Sequence, residues 1–265
     1  MAGKAIVVTG GTGILGKSFI NGIASAGGKV CVLGRNKKVA DERVGAIKNN
    51  GGQAVALIAD VTKEEPLLEA KKRMLDTFGK INGLVNTAGG NMEAAIVKPE
   101  EDVFALHMEG LKEVMDLNLF GTLLPSQIFG EAIKKNGHGS IVNISSMAPQ
   151  LVITRVLGYS MAKSAIDIYT KWFAVELGKR YGDKIRMNAI APGFFLTEQN
   201  RTLLSNQDGS LTERGTLVTK RTPFNRFGNP DELIGALIWL LSDASKFVTG
   251  TVVNVDGGFS IFSGV

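Results

Sequence analysis

The chain contains one cysteine, Cys31, in 265 residues, so no disulfide can form within it. Cys31 lies inside an apolar run, and this position predicts a buried thiol in a protein of a reducing cytoplasm. Long apolar runs are missing too, so we expect neither a membrane-spanning helix nor a membrane partner. The first residues lead directly into an apolar run and a glycine-rich turn, without the segments of a signal peptide.

Basic runs are also scarce, although the formal net charge is +5. The Lys and Arg residues are scattered among acidic ones, and no basic run has interleaved aromatic residues. This distribution does not favour nucleic-acid binding, and it predicts a solvated surface with a mild preference for anionic ligands. We predict no metal site.

Linkers, repeats and low-complexity tracts are absent, and strand patterns alternate with helical patterns along the chain. Predicted strands cover residues 4–9, 29–33, 53–59, 84–86, 141–144, 185–190 and 251–255. This alternation predicts an α/β fold in which a doubly wound parallel sheet of about seven strands has helices on both faces. We therefore expect a single Rossmann-type domain over residues 1–265, with a substrate loop at about 194–222.

The first predicted strand ends in the glycine-rich turn Gly10–Gly16, which opens a helical pattern. Glycines there let the backbone approach a pyrophosphate, and the helix N-terminus supplies N–H donors and positive potential. The turn therefore predicts dinucleotide binding. The alternative is a tight turn with a structural role only.

A carboxylate is missing at the end of the second predicted strand, where an NAD-binding protein usually holds the ribose 2′-OH. The position is Gly34, followed by Arg35, with Lys37 and Lys38 close behind. Because Arg can pair with a 2′-phosphate through two hydrogen bonds, this stretch favours NADP(H) over NAD(H). Arg35 is alternatively an ordinary loop cation that stacks on the adenine.

Two later strand ends are expected at the same ligand, because the carboxyl ends of parallel strands meet at one edge of the sheet. Asp60 can accept a hydrogen bond from the adenine amine, and Val61 can pack on the ring. After the strand that ends at Asn86, the small residues Ala88 and Gly89 permit close approach of the cofactor.

Two features of the following segments complete this prediction. Thr62 and Glu65 predict a capping box for the helix after the third strand. Asn118 lies in an apolar stretch of a long helix predicted over 108–135, where a buried Asn must find partners. It is either a packing residue, or it bends the helix and holds a water near the active site.

Residues 140–163 carry the groups best suited to proton transfer. A strand pattern gives way to Ser145 and Ser146, and Tyr159 and Lys163 lie one helical turn apart. An ammonium beside a phenol favours the phenolate, so we expect a lowered pKa of Tyr159. Such a phenol is a usable general acid/base, and Ser146 can donate a hydrogen bond to the same substrate oxygen. The alternative is a surface Tyr and Lys near a helix start.

Together these motifs resemble the short-chain dehydrogenase/reductase family over essentially the whole chain. The matching elements, in the family's order and spacing, are Thr9–Gly16, Asp60-Val61, Asn86-x-Ala88-Gly89, Asn118, Ser146, Tyr159-x-x-x-Lys163, Asn188, Pro192-Gly193 with Thr197, and Asp256-Gly257-Gly258. The catalytic residues that the resemblance implies are Ser146, Tyr159, Lys163 and Asn118. The predicted cofactor-binding residues are Gly10, Thr12, Gly13, Ile14, Leu15, Gly16, Arg35, Asp60, Val61, Asn86, Ala88, Gly89, Tyr159, Lys163, Pro192, Gly193 and Thr197.

The resemblance also implies individual roles. Tyr159 is expected to act as the acid/base, while Lys163 lowers its pKa and holds the nicotinamide ribose. Asn118 is expected to anchor a water for the proton relay, and Thr197 to bond the nicotinamide carboxamide. A homotetramer is implied as well, with the helices at 108–135 and 159–180 packing against their symmetry mates.

Within the family, several stretches are similar to the D-mannonate oxidoreductase (D-fructuronate reductase) branch. These are AGGN at 88–91, FFLTEQNR at 194–201, DGSLTERG at 208–215, RFGNPDEL at 226–233 and the ending DGGFS-IFSGV. A sugar acid needs a cation for its carboxylate and amide groups for its hydroxyls. The substrate candidates are Asn91, Gln150, Arg155, Gln199, Asn200 and Arg201, each alternatively an exposed loop residue.

Other functions fit parts of the same pattern. A gluconate 5-dehydrogenase-like enzyme acts on a related substrate, and a 3-oxoacyl-carrier-protein reductase acts on an acyl one. The segment 194–222 is predominantly polar after Phe194 and Phe195, which favours a hydroxylated substrate. A cofactor-binding regulatory protein without activity would be expected to lack Ser146, Tyr159 or Lys163, and all three are present.

Overall fold

The structure, a computed structural model, describes residues 1–196 and 201–264. Within these residues the chain forms one seven-stranded sheet in the order β3-β2-β1-β4-β5-β6-β7, with every neighbouring pair parallel. The α/β class, the parallel sheet and its strand number are confirmed. The strands are β1 (Ala5–Thr9), β2 (Lys29–Gly34), β3 (Gln53–Ile58), β4 (Gly83–Asn86), β5 (Gly139–Ile144), β6 (Ile185–Pro192) and β7 (Val252–Val255).

Helices connect the strands, because parallel neighbours need crossover connections. They are α1 (Ile14–Ser25), α2 (Lys37–Asn49), α3 (Glu64–Phe78), α4 (Met108–Met115), α5 (Gly121–Asn136), α6 (Leu157–Tyr181), α7 (Arg201–Leu204), α8 (Glu213–Arg221) and α9 (Ile234–Leu241). No helix in the described ranges is long and apolar enough to cross a membrane.

The core has two layers, because successive side chains of a strand point to opposite faces of the sheet. Val7 and Cys31 face one layer with α3, α5 and the second half of α6. Val8 and Val32 face the other layer with α1, α2 and α9. Cys31 is fully buried as predicted, and burial raises the pKa of its thiol well above the ordinary value.

The long helix predicted over 108–135 is interrupted. A π-helical turn, Asp116–Phe120, separates α4 from α5, and Asn118 lies at its centre. A π turn inserts one residue into the helix and often marks a functional position. One alternative for Asn118 was a bend in the helix. At this position the backbone changes from α-helical to π-helical, and the helix continues on both sides.

The capping box predicted at Thr62 is wrong. Helix α3 begins at Glu64 after Lys63, and no side chain caps it. Thr62 instead donates from its backbone N (2.9 Å) and its hydroxyl (2.8 Å) to Oδ1 of Asp60. Thr62, which was predicted to start a helix, thus orients the Asp60 carboxylate after β3.

Two segments that follow strands are less regular than the rest of the described chain. Residues 91–107 contain a single 3-10 turn, Glu93–Ala95. The predicted substrate loop is partly helical in its described portion, because it contains α7 and α8.

Candidate active site

A groove of about 320 Å³ runs along the carboxyl ends of the central strands. It opens where the strand order reverses between β1 and β4, which is where open parallel sheets bind ligands. Predicted cofactor residues that line it are Gly10, Thr12, Gly13, Ile14, Leu15, Gly16, Arg35, Asp60, Val61, Ala88, Gly89, Tyr159 and Lys163. Six further residues line the groove, namely Gly34, Ala59, Thr87, Gly90, Leu117 and Ile144. Sequence reasoning missed Ala59, Leu117 and Ile144, whereas Gly34 and the small residues after Asn86 were expected near the cofactor.

The glycine turn has a shape that side chains would destroy. Gly10 has φ +63°, and a Cβ there would lie 2.8 Å from the backbone N of Ala88. A Cβ on Gly16 would lie 2.1 Å from the carbonyl oxygen of Gly10. The turn and the start of α1 therefore present bare backbone to the groove, which fits a dinucleotide pyrophosphate.

Arg43 on α2 holds this turn from outside. Its Nη1 donates to the carbonyl oxygens of Gly11 and Gly13, the latter at 2.7 Å. Burial lowers the pKa of the guanidinium. Arg43 lies 27 residues after Gly16 in an unremarkable helical stretch (43 − 16), so the sequence pattern contains no signal for this contact.

The adenosine end of the groove is defined by Arg35 and Asp60. Nη1 of Arg35 lies 3.9 Å from Oδ2 of Asp60, with the Arg35 side chain exposed and the Asp60 side chain half-buried. Burial alone would raise the pKa of Asp60, but the two hydrogen bonds from Thr62 and the charges of Arg35 and Lys63 lower it. A carboxylate in this position can accept a hydrogen bond from an adenine amine.

Gly34, the last residue of β2, precedes Arg35, and its surroundings restrict which side chain could contact a ribose there. A Cβ on Gly34 would lie 2.4 Å from the hydroxyl oxygen of Thr12. A side chain at residue 34 would therefore require the Thr12 side chain to move.

Ser146, Tyr159 and Lys163 meet at the other end of the groove. The Lys163 Nζ lies 5.4 Å from the centre of the Tyr159 ring and donates to the carbonyl oxygen of Ile144 at 2.7 Å. Burial raises the pKa of Tyr159, and a hydrogen bond with Ser146 opposes the rise. The expectation of a lowered pKa for Tyr159 is therefore wrong, because burial raises this pKa more than the neighbouring polar groups lower it.

The pKa of Lys163 is shifted as well. Burial lowers its pKa to about 8, and the charge of Asp167 acts in the opposite direction. Asp167 also accepts a short hydrogen bond from the hydroxyl of Ser145, and burial raises the pKa of its carboxyl group. Sequence reasoning did not single out Asp167, although its spacing of four residues from Lys163 places both on one face of α6 (167 − 163).

Asn118 is fully buried and clamps the loop after β4. Its Nδ2 donates to the carbonyl oxygens of Gly90 (2.7 Å) and Val114 (2.9 Å), and its Oδ1 accepts from the backbone N of Gly90 (3.0 Å). The backbone carbonyl of Asn118 accepts from the hydroxyl of Thr122. The side chain therefore fixes one wall of the groove.

Some predicted cofactor residues lie elsewhere. Asn86 is buried under the groove, where its Nδ2 donates to Ser126 (2.8 Å) and to Asn143 (2.9 Å). Pro192 is the last residue of β6 and Gly193 follows it, and neither is among the described residues that line the groove. Thr197 lies outside the described residues.

The predicted substrate residues are dispersed. Gln150 and Asn254 form a reciprocal amide pair at 2.7 and 2.8 Å on an exposed surface, away from the groove. Asn91 is exposed on the segment that follows Gly90, and Arg201 is exposed at the start of α7. Arg155 is exposed just before α6, whereas Gln199 and Asn200 lie outside the described residues.

Comparison with known proteins agrees with this geometry. A family model described as enoyl-(acyl carrier protein) reductase matches residues 13–260. The uncharacterized oxidoreductase UxuB of Bacillus subtilis (strain 168) is 41% identical over 274 residues, covering 100% of this chain and 98% of that protein. The chain belongs to the short-chain dehydrogenase/reductase family, and it is an NAD(P)-dependent oxidoreductase of that family.

Two solved structures are similar over nearly their full length. The crystal structure of a proposed D-mannonate oxidoreductase from Haemophilus influenza with bound NAD is 37% identical, with a TM-score of 0.91, and covers 100% of this chain and 98% of that one. A gluconate 5-dehydrogenase from Burkholderia cenocepacia in complex with NADP and tartrate is 31% identical, with a TM-score of 0.85 and coverage of 98% and 96%.

Proposed function

We propose that this protein interconverts a keto group and a secondary alcohol on a sugar acid, with D-fructuronate and D-mannonate as the substrate pair. The observation that carries the proposal is the meeting of Ser146, Tyr159 and Lys163 at one end of a groove shaped for a dinucleotide. The sugar acid is supported by the similarity to the Haemophilus protein.

Each residue has a separate task in this reaction. The bound nicotinamide supplies or accepts the hydride. Tyr159 gives its proton to the carbonyl oxygen during reduction, and its raised pKa keeps the phenol protonated for that step. Ser146 donates a hydrogen bond to the same oxygen, and the Lys163 charge stabilises the phenolate that remains. Asn118 keeps the adjacent wall in place through Gly90.

A second substrate, a keto-gluconate, is favoured by the gluconate dehydrogenases among the similar structures. A 3-oxoacyl-[acyl-carrier-protein] reductase from Synechocystis is also similar, at 31% identity. The polar composition of residues 197–222 argues against an acyl chain. Asn91, Gln150, Arg155, Gln199, Asn200 and Arg201 remain the proposed substrate contacts, and Gln150 would have to leave its pairing with Asn254 to serve as one.

We propose NADP(H) as the preferred cofactor over NAD(H). The support is Arg35 at the adenosine end and Gly34, which supplies no carboxylate at the end of β2. The contact of Arg35 with Asp60 weakens the preference, because Asp60 competes with a 2′-phosphate for the same cation. Comparing KM for NADPH and NADH in the wild type and in Arg35→Ala tests this: the variant should lose affinity for NADPH only.

The remaining proposals concern the whole chain. We propose one Rossmann-type domain over residues 1–265, a cytoplasmic location and a homotetramer. Exposed apolar side chains on α6, including Ile168, Trp172 and Val175, support an interface between copies. A monomer in sedimentation at micromolar concentration would contradict the tetramer.

The function is tested by absorbance at the nicotinamide band. Purified protein is mixed with D-fructuronate and either NADPH or NADH, and Tyr159→Phe serves as the blank. We expect oxidation of the nicotinamide by the wild type only. If neither cofactor is oxidised, D-fructuronate is not the substrate, and keto-gluconates and β-ketoacyl thioesters are assayed next.

A further inference from the structure

The substrate loop and the residues that follow it, 194–228, are joined to each other at their two ends. The backbone N of Gly228 donates to the carbonyl oxygen of Phe194 at 2.9 Å, and Phe195 and Gly228 form an isolated parallel bridge. A Cβ on Gly228 would lie 2.4 Å from the Phe195 ring, so the two ends cross closely. The helices between them therefore start from a fixed base.

Helices α7 and α8 pack closely enough to form one unit. The backbone N of Thr212 donates to the carbonyl oxygen of Leu204 at 3.1 Å, and the Thr212 hydroxyl donates to that of Leu203 at 2.7 Å. A Cβ on Gly215 would lie 2.0 Å from the Leu204 carbonyl oxygen, so only glycine permits this approach. We expect the two helices to move together, because closely packed elements do not deform separately.

This helical unit contacts the candidate catalytic segment through a small apolar cluster that is separate from the two layers of the core. Its buried members are Leu204 of α7, Val218 of α8, Met147 and Phe259. Met147 directly follows Ser146, and Phe259 lies in the turn after β7. The cluster therefore holds α7 and α8 against the residue next to a candidate catalytic serine.

The ring of Phe259 joins the parts of this arrangement. It meets the Phe194 ring edge to face, with the centroids 5.1 Å apart and an interplanar angle of 61°. The guanidinium carbon of Arg221, the last residue of α8, lies 5.7 Å from the Phe259 centroid. One side chain thus contacts the base of the loop, the end of α8 and the cluster that contains Met147.

The turn that carries Phe259 is itself fixed. The Asp256 carboxylate accepts from the backbone N of Gly258 and of Ser260, each at 2.9 Å. Gly258 has φ +88°, and a Cβ there would lie 2.9 Å from the Pro223 ring, just after α8. A rigid turn that fits against the end of α8 presents Phe259 in one place.

We propose that Phe259 is a positioning residue for the substrate, because its ring holds α7 and α8 against the segment that carries Ser146. This rests on the proposed function, which assigns substrate contacts to the loop that contains these helices. When the helices are released, only the fraction of molecules with the helices in place binds substrate, so the apparent affinity falls by that fraction. Bound substrate favours the same arrangement, so kcat at saturation changes little.

Steady-state kinetics with D-fructuronate and hydrogen–deuterium exchange of the free enzyme test this role together. Phe259→Ala should raise KM for D-fructuronate about tenfold, with kcat and the Kd for the nicotinamide cofactor nearly unchanged. Amide exchange in α8 should become about tenfold faster, while exchange in β1 and α1 keeps the wild-type rate. A general loss of stability would instead speed exchange across the sheet and weaken cofactor binding.

Two matched variants sharpen the test. Phe259→Leu keeps most of the apolar volume and loses the ring contacts, so its KM and its α8 exchange should lie between those of the wild type and Phe259→Ala. It also decides the question if Phe259→Ala does not fold. Ile261→Ala removes an apolar side chain that is 86% exposed in the same terminal segment, and it should leave KM and exchange unchanged.

A double-mutant cycle identifies the contact that acts. Phe194→Leu removes the ring that meets Phe259 edge to face, so it should raise KM as well. Because both single variants break the same contact, the combined variant should raise KM by less than the product of the two single effects. Independent effects would exclude this ring contact as the means by which Phe259 acts.

The outcomes separate this proposal from the proposed function. Wild-type exchange of α8 in both Phe259 variants, or a rise in cofactor Kd as large as the rise in KM, would overturn the proposal. If α8 exchange increases in these variants but the wild type oxidises no nicotinamide with D-fructuronate, the role of Phe259 in holding α8 is retained and the proposed substrate is wrong. If D-fructuronate is reduced and both variants keep the wild-type KM, the function is retained and the role of Phe259 is wrong.

Discussion

The nucleotide side and the substrate side of the groove are built by different means. On the nucleotide side, the turn Gly10–Gly16 offers backbone, and added Cβ atoms would collide with it at 2.1 to 2.8 Å. On the substrate side, the segments 91–107 and 201–222 carry exposed polar and charged residues. The first side is specified by shape and the second by charge.

This difference separates the expected effects of substitution. Shape made from backbone fails when any atom is added, so changes there should affect folding and cofactor binding together. Charge presented on loops can be removed without altering the core, so changes there should affect substrate binding alone. The following substitutions test this contrast, in order of decreasing effect.

Tyr159→Phe should have the largest effect, because it removes the proton donor at the point where the two sides meet. We expect kcat to fall by about 10²- to 10⁴-fold with cofactor affinity nearly unchanged. Stopped assays for kcat and fluorescence titration for cofactor binding measure the two quantities. Tyr181→Phe, a change at the partly exposed end of α6, is the matched control and should keep full activity.

Gly16→Ala should damage the nucleotide side as a whole. The new Cβ would lie 2.1 Å from the Gly10 carbonyl oxygen, so the turn or α1 must move. We expect a loss of about 1–3 kcal/mol in the free energy of unfolding and a large loss of cofactor affinity. Gly235→Ala in α9 has open space around it and should instead stabilise the protein by about 0.5–1 kcal/mol. Equal effects of the two variants in urea denaturation would contradict the role of shape.

Arg43→Gln should loosen the glycine turn without adding any atom to it. The two hydrogen bonds to Gly11 and Gly13 are lost, so Kd for NADH and for NADPH should rise about tenfold. Lys48→Gln removes an exposed charge from the same helix and is the control. A rise for NADPH alone would show that Arg43 contacts the 2′-phosphate and not the turn.

Asp167→Asn should shift the pH dependence of activity. The pKa of Lys163 is lowered to about 8 by burial, so kcat/KM should fall above this pH as the ammonium is lost. Because the charge of Asp167 opposes that lowering, its removal should move the alkaline limb to lower pH. An unchanged limb in the pH profile would exclude Asp167 as a positioning residue for Lys163.

The same pKa predicts a direction for stability. The ordinary pKa of Lys is 10.5 and that of folded Lys163 is about 8, so the unfolded chain binds more protons between these values. The contribution of this group to the free energy of unfolding therefore increases as pH rises through that window. Lys163→Met should remove this contribution in chemical denaturation at pH 8 and pH 10.

The smallest effect should be the difference in stability between the variants Arg155→Gly and Arg155→Ala. Both remove the guanidinium, but only the Ala variant keeps a Cβ in the left-handed backbone. We expect the Gly variant to be more stable by about 1 kcal/mol in thermal unfolding. Equal stability would mean that the loop adjusts and that the left-handed conformation is not imposed.

The two sides also differ in how far the sequence predicts them. The sheet, the glycine turn and the spacing of Tyr159 and Lys163 follow from periodicity and from residues close together in the chain. Arg43 acts through a tertiary contact with the glycine turn from a helix whose sequence carries no local signal for it. Asp167, by contrast, could have been found from its four-residue spacing to Lys163 on the same helix. The predicted substrate residue Gln150 shows the opposite error, because a polar residue near a catalytic motif pairs with Asn254 from a distant strand.

The predicted direction of the Tyr159 pKa shift is wrong for a related reason. Spacing places an ammonium near the phenol, but it does not tell how much water either group loses on folding. In the structure that loss dominates for both groups, raising one pKa and lowering the other. How far each group is buried depends on three-dimensional packing. A spacing of one helical turn in the sequence gives no information about that packing.

The π turn at Asp116–Phe120 is equivalent to a one-residue insertion in a helix. Deleting one residue from it would restore a continuous α-helix with α4 and α5 near their present orientation, because the wide turn absorbs the extra residue, whereas a deletion within α4 or α5 would rotate the residues beyond it by about 100°. The Asn118 amide would then leave Gly90, and the wall it fixes would lose its anchor. Loss of one residue here therefore preserves the helix and removes the anchor, so a related chain that lacks the extra residue should hold its loop after β4 by other contacts.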